Sequence, residues 1–363
     1  FAPTDNLSRG AAAKIICNLI LGPTTAAELH ADTAPYKDVP VSNTFSGYIA
    51  YCAKEGIISG YADGSFRPAG TLTGYAFMKM LLGALGYDAT YEGYTGGNWS
   101  INVAKQAIGI GLNKGLVDEF NGVDFVTREE AALYAFNTLK ATMVDYDQKI
   151  TTTINGVDVV ISQGTAKPVD WSEGSNRDGN IKDDGYVQFA EEYFPKLYLD
   201  NTTDAFGRPA REWEYSGNTV GTYVNHDILK KEFTTEVTGR DLYDVLGKST
   251  IDDYEFLISV DGETEKNVLG DAFFTEDNIL RSNTKGVGGT GNGVLTQVYV
   301  DTDNKDVYIA VINTYLAVAT DDYNEKKDEA TYTVWSLENK GTSSDKTLVK
   351  ALPAKSSDVA ISL

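Results

Sequence analysis

The stretch Gly56-Ile57-Ile58-Ser59-Gly60-Tyr61-Ala62-Asp63-Gly64-Ser65-Phe66-Arg67-Pro68 decides how the first 145 residues fold. Ahead of it, Tyr48, Ile49, Cys52 and Ala53 recur at spacings of one, three and four, which predicts a helix with one apolar face. Gly56 stands where that helix needs a residue tolerant of the left-handed conformation. Pro68 then bars helix, and Thr73 is placed to cap a second helix carrying Phe77, Met80, Leu81, Ala84 and Leu85. Gly86 stops it. The unit reads as helix, structured loop, helix.

The pattern recurs on both sides. Phe1-Ala2-Pro3 and Leu7-Ser8-Arg9-Gly10-Ala11 align without gaps on Phe66-Arg67-Pro68 and Leu72-Thr73-Gly74-Tyr75-Ala76. The helix of that copy carries Ala12, Ile15, Ile16, Leu19 and Ile20, with Gly22-Pro23 as its stop. A diverged third copy begins near Trp99 with a helix through Ile101, Ala104, Ala107, Ile108 and Leu112, and breaks at Gly115. It reaches Val126-Thr127-Arg128-Glu129-Glu130, where Thr127 and Glu130 make a capping-box pattern, and a helix through Leu133, Phe136 and Leu139. A small helical pair cannot bury its apolar face alone, so the copies are expected to stack. The chain opens inside the first copy, whose first helix is therefore expected upstream.

Tyr36-Lys37-Asp38-Val39 followed by Gly56 to Pro68 resembles the S-layer homology repeat of bacterial cell-surface proteins. That family's pattern is an aromatic-x-Asp-Val opening, a first helix, Gly-Ile-Ile-x-Gly-Tyr-x-Asp-Gly-Thr-Phe-x-Pro, and Thr-Arg-Ala-Glu at the start of the second helix. Ser65 replaces the threonine here, and the third copy lacks the Gly-Tyr-x-Asp-Gly loop. The resemblance implies an all-α region of stacked repeats over residues 1–145, divided as 1–35, 36–90 and 91–145. It also implies an extracellular location in the bacterial cell wall or S-layer, and secondary cell-wall polysaccharide, including pyruvylated forms, as the partner. The family's polysaccharide-binding arginine falls on Arg9 and Arg128, while the second copy has Gly74 there. Its aspartate falls on Asp38, and the tryptophan that opens the first helix falls on Trp99, with Phe45 in the second copy.

The residues support part of this independently. Arg9 and Arg128 each follow a hydroxyl cap, so each puts a cation at the helix end that favours negative charge by ~0.3–1 kcal/mol. That placement makes sense if guanidinium and free N–H groups hold an anion together. The alternative is a surface arginine paired with a neighbouring acid. Trp99 reads equally as a face for stacking a sugar and as a core residue. Asp63 before Gly64 reads as a turn residue, and Tyr61 as packing, with a rim contact as the alternative.

Composition narrows the classes. Fifty-two acids against 31 Lys and Arg leave a net charge of -21, which argues against nucleic acid, whose binding needs a basic footprint. No apolar run approaches the ~18 residues of a membrane span, so membrane insertion is not expected. The two cysteines, Cys17 and Cys52, read as small buried residues on helical faces, with a bridge between repeats as the alternative. His30 and His226 have no partner at metal-ligand spacing, which speaks against zinc.

The periodicity changes at Asp145 to Lys149, after which short alternating runs and turn residues dominate. Hairpins are predicted about Asn155-Gly156 and Ser216-Gly217-Asn218, with short helices over Tyr186 to Leu199 and Asp241 to Leu246. Strands are predicted over Tyr254 to Val260, Gln297 to Val300, Val307 to Ala319, Thr331 to Leu337 and from Thr347 on. The expected organisation is multidomain α+β: the repeats, a β-rich and sandwich-like domain over 150–325 with one or two short helices, and a further β module from 330.

Asn176, Asp178, Asn180 and Asp184 alternate oxygen side chains ahead of a glycine, the kind of donor set calcium takes, but Val187 stands where an EF-hand has its glutamate. Asp301 and Asp303 form a smaller cluster. Solvated polar turns are the competing reading of both. The glycine run Gly286 to Gly293 lacks the Gly-Lys-Ser/Thr ending of a phosphate loop and leads into a strand. No nucleophile elbow, His-Glu-x-x-His helix or Cys-x-x-Cys pair occurs. The expectation is a non-enzymatic surface protein whose repeats grip wall polysaccharide while its β modules associate laterally in a surface array. The alternatives are a wall-anchored enzyme, glycoside hydrolase or peptidase, and a surface adhesin.

Overall fold

A computed structural model describes residues 2–116, 120–146, 150–154, 157–162, 164–171, 179–264, 290–314, 316–319, 330–335 and 348–354. The chain divides into two compact units, Phe1–Asp200 with Trp213–Gly221 and Asn201–Glu212 with Thr222–Leu363. Helices dominate the start and strands the rest, an α+β order. No helix among the described residues is long and apolar enough to cross a membrane.

The first unit opens with five helices: α1 (Arg9–Ala27), α2 (Ser46–Lys54), α3 (Gly74–Ala84), α4 (Trp99–Gly109) and α5 (Arg128–Leu139). α1, α3 and α5 are the second helices of the three repeats. Their caps are the expected hydroxyls: Ser8, Thr73 and Thr127 accept from the N–H groups of Ala11, Ala76 and Glu130. Thr127 and Glu130 complete the reciprocal capping box. Gly22 (φ 74°) breaks α1 ahead of Pro23, but the chain returns to helix and runs on to Ala27. The expected stop is therefore a kink.

Backbone bonds tie the three repeats into a closed ring. The N–H groups of Arg9 and Gly10 donate to the carbonyls of Gly70 and Pro68, those of Gly74 and Tyr75 to Asp124 and Gly122, and those of Arg128 and Glu129 to Asp5 and Pro3. The first N–H groups of a helix have no partner within it. Each repeat satisfies them on the loop of the next, and the third closes on the first. Arg9, Gly74 and Arg128 consequently occupy equivalent places. Inside lies one apolar core, with Ile16, Ile49, Phe66, Phe77, Leu81, Leu85, Val103 and Tyr134 all buried. Burial of each such side chain contributes about 1.5–3 kcal/mol.

The loop after Gly56 (φ 73°) folds back on itself: Tyr61 N–H donates to Ser65 O, and Gly64 N–H to Tyr61 O. Asp63 accepts from both the N–H and the hydroxyl of Ser65. Gly60 lies flat on the Tyr36 ring, where a Cβ would overlap it. Asp38 closes the loop by accepting from the N–H groups of Phe66 and Arg67, both at 2.7 Å.

Past the repeats, Val144–Tyr146 pairs antiparallel with Ala166–Pro168, short strands that the sequence reading did not anticipate. Ile150–Ile154 and Val157–Ser162 form the expected hairpin. Its turn, Asn155-Gly156, lies outside the described residues. Helix α6 (Phe189–Tyr193) follows, then a three-stranded sheet of Leu197–Thr203, Pro209–Tyr215 and Asn218–Val224.

The second unit contains a five-stranded sheet in the order Glu263–Thr264, Glu255–Val260, Asp306–Asn313, Val294–Asp301, Leu229–Phe233. Glu255–Val260 and Asp306–Asn313 run parallel, and the other pairs antiparallel. Helix α7 (Gly239–Asp253) packs Leu242, Leu246 and Ile251 on Val298, Val300, Val307, Ile309 and Val311 of the sheet. The expectation of a sandwich gives way here, because a helix with its own apolar stripe covers the strands. That helix exceeds the turn read at Asp241 to Leu246, since Gly247 (φ 73°) interrupts the periodicity without ending the element. Leu316–Ala319, Ala330–Trp335 and Leu348–Ala354 make a further antiparallel sheet.

Candidate polysaccharide-binding groove

A groove of about 620 Å³ runs from the start of α1 across α3 to the start of α4. Arg9, Tyr61, Phe66, Lys79, Tyr94 and Trp99 are among its lining residues. The ring of repeats explains the convergence. Arg9 comes from the first repeat, Lys79 from the second helix of the second, and Trp99 from the first helix of the third.

Arg9 is held as a rigid fork. Its Nε donates to Phe66 O at 2.8 Å and its Nη2 to Ser59 O at 3.1 Å. The guanidinium lies 4.4 Å from the Phe66 ring centroid and 5.0 Å from that of Tyr61. A guanidinium carries five N–H donors, and these two bonds leave three for a ligand. Burial pulls the Arg9 pKa down, with Tyr61 opposing it, so a bound anion would relieve a cost the site already carries. Lys79 donates from Nζ to Tyr94 O at 2.7 Å, lies 5.8 Å from the Trp99 ring, and has its pKa lowered by burial. The Tyr94 hydroxyl is buried and has no hydrogen-bond partner among the described residues.

Two cations between aromatic walls suit an anionic ligand that also has flat apolar faces. The lining contains no carboxylate, histidine or cysteine.

Asp38 stands outside the groove. Its carboxylate is engaged by the N–H groups of Phe66 and Arg67, which hold its pKa below the usual range, Phe66 foremost. It positions Phe66, on which Arg9 rests. Arg128 is also elsewhere, at the equivalent place on α5, and Lys14 is related to Lys79 by the offset that relates Arg9 to Gly74. At the Gly74 position the cations are gone: Leu133 occupies the place of Lys79, Tyr75 packs on Gly122, and Phe120 meets both Tyr75 and Tyr134 edge-on. Lys79 was missed in the sequence, although its alignment with Lys14 was a signal for it.

Of the calcium candidates, Asn176 and Asp178 lie outside the described residues. The Asn180 carbonyl accepts from Leu199 N–H, and Asp184 accepts from Tyr186 N–H, Gln188 Nε2 and Lys182 Nζ. Asp301 binds the N–H groups of Asp303 and Asn304 in a turn. No group of three or more His, Cys, Asp or Glu is arranged to hold a metal among the described residues. Of the glycine run, only Thr290 to Gly293 are described, ahead of the strand Val294–Asp301.

The profile of the S-layer homology domain matches residues 35–74, which span the Asp38 anchor, α2, the Gly56 to Pro68 loop and the Thr73 cap. The chain contains an S-layer homology domain. Domains of this family bind cell-wall polysaccharide, and the protein is therefore located at the cell surface, in the wall. The chain is also 27% identical over 145 residues to a protein of Bacillus anthracis named as an uncharacterized cell wall amidase. That stretch covers 38% of this chain and 26% of the relative, so the similarity spans about a quarter of the relative's length.

Proposed function

We propose that the S-layer homology repeats hold an acidic secondary wall polysaccharide in the groove of Arg9, Lys79 and Trp99, and thereby retain the rest of the protein on the wall. The observation that carries this reading is the meeting of a pre-set arginine, a half-buried lysine and a tryptophan in one groove. Arg9 and Lys79 would take the carboxylate of a pyruvylated or uronic sugar, and Trp99 the apolar face of the ring. Arg128 marks a second, equivalent place, so linked weak sites would add avidity. Sedimentation with purified wall sacculi tests the reading. The protein should pellet with intact sacculi and stay in solution with sacculi stripped of non-peptidoglycan polysaccharide. Equal pelleting with both would refute it.

A second reading concerns what is retained. The amidase-named relative favours a wall-acting enzyme over the self-associating, non-enzymatic surface layer expected from the sequence. On this reading the groove is its substrate anchor and the cleavage chemistry belongs elsewhere in the protein. Release of new amino termini and soluble fragments from sacculi would support an amidase. A concentration-dependent, ordered assembly with no such release would support the layer.

A further inference from the structure

We propose that Cys17 and Cys52 are a disulfide site that covalently joins the first repeat to the second. This chain of 363 residues has two cysteines, 35 positions apart, and the fold sets them against each other. Cys17 lies on α1 and Cys52 on α2, both completely buried, with Sγ to Sγ 3.5 Å. A disulfide needs about 2.0 Å between sulfurs, so closure requires an approach of about 1.5 Å. The helix faces already align: Cys17 Sγ lies 3.5 Å from Tyr48 O on α2, and Cys52 Sγ 3.6 Å from Ala13 O on α1. The hydrogen bond between the Cys52 and Cys17 sulfurs, with burial next, pushes the Cys52 thiol pKa up. In the folded protein Cys52 is thus a poor nucleophile, and burial shields both sulfurs from reagents.

The cell surface supplies the conditions. Disulfides form and persist outside the membrane, where small-molecule disulfides and exchange enzymes act as oxidants. While the chain is still folding, the thiolate of one cysteine attacks an external disulfide and releases one thiol. The second cysteine, as thiolate, then displaces the other thiol from the mixed disulfide. Two protein thiols are oxidised, one external disulfide is reduced to two thiols, and the two protons pass to them. Packing then buries the bond, and the first two repeats are held together covalently.

The full chain is unfolded, reduced, and refolded in a glutathione buffer poised at an extracellular potential. It is then alkylated with N-ethylmaleimide in denaturant and weighed intact. The expected result is a monomer with no label and a mass about 2 Da below the reduced chain. Thermal melting should fall by roughly 8–15 °C when the protein is reduced, a shift the Cys17→Ala/Cys52→Ala double variant should not show. Two maleimide labels, a glutathione adduct on one cysteine, or a disulfide-linked dimer would each overturn the proposal. If the double variant does not fold, the mass measurement on the wild-type chain decides alone.

Discussion

Replacing Arg9 by lysine separates charge from geometry in the groove. Lysine keeps the positive charge but offers one ammonium in place of a planar fork. It gives up the bond from Nε to Phe66 O, and with it the orientation that leaves three donors for a ligand. A hydrogen bond to a charged group contributes about 1.5–3 kcal/mol, and the groove's opening to solvent argues for the lower half of that range. Affinity for polysaccharide-bearing sacculi should accordingly drop about tenfold to thirtyfold in Arg9→Lys. Arg9→Ala, which loses the charge as well, should drop further and also lose much of the salt dependence. The assay is a depletion isotherm against sacculi at several ionic strengths. Because Arg9 also ties α1 to the loop carbonyls, thermal melts accompany each variant, and only variants that retain a cooperative transition are compared. Wild-type affinity in both folded variants would refute the reasoning, since the groove would then hold its ligand without its best-placed donor.

Three further outcomes are expected. Trp99→Ala should weaken sacculus binding by about 1–2 kcal/mol, roughly fivefold to thirtyfold, with salt dependence retained, because it removes an apolar face and no charge. Gly86→Ala should destabilise the first unit by more than about 2 kcal/mol in a denaturant titration, since Gly86 has φ 102° and an added Cβ would run into the Val144 carbonyl. Acid should act on the loop: the Ser65 hydroxyl and N–H, followed by weaker help from Lys37 and Arg67, hold Asp63 at about 2. Asp38 is also lowered, by Phe66 N–H first. A depressed folded pKa contributes stability above the unfolded value, near 4, that is lost as pH falls through the folded one. Melting temperature should therefore decline between about pH 4 and 2, and Asp63→Asn should flatten that part of the profile.

Much of the first unit was legible because its signals are local. Glycines at Gly56 and Gly64, hydroxyls at Ser8, Thr73 and Thr127, and apolar spacing along each helix encode caps, loop and helix faces within a few residues. Arg9 stood out by its place after a hydroxyl cap, and Trp99 only by the resemblance to the S-layer homology repeat. Sequence alone also marked the change to strands after Asp145 and the hairpin about Asn155-Gly156. Gly22 and Gly247 show the limit, since each interrupts a periodicity while the chain resumes helix beyond it.

Tertiary structure decided which residues meet. The backbone bonds that close the ring join positions as distant as Pro3 and Glu129, and no local pattern states such a pairing. They bring Arg9, Lys79 and Trp99 from three different repeats into one groove and keep Asp38 out of it as a support for Phe66. They also set Cys17 against Cys52, and leave the Gly74 position packed with aromatic rings. In the second unit, the strand Glu255–Val260 pairs in parallel with Asp306–Asn313, and α7 covers the sheet where a second sheet was expected. The physical reason is common to all of these. Local propensity fixes φ and ψ within a few residues, whereas a groove, a thiol pair or a sheet order is set by which buried faces and unpaired backbone groups satisfy one another across the fold.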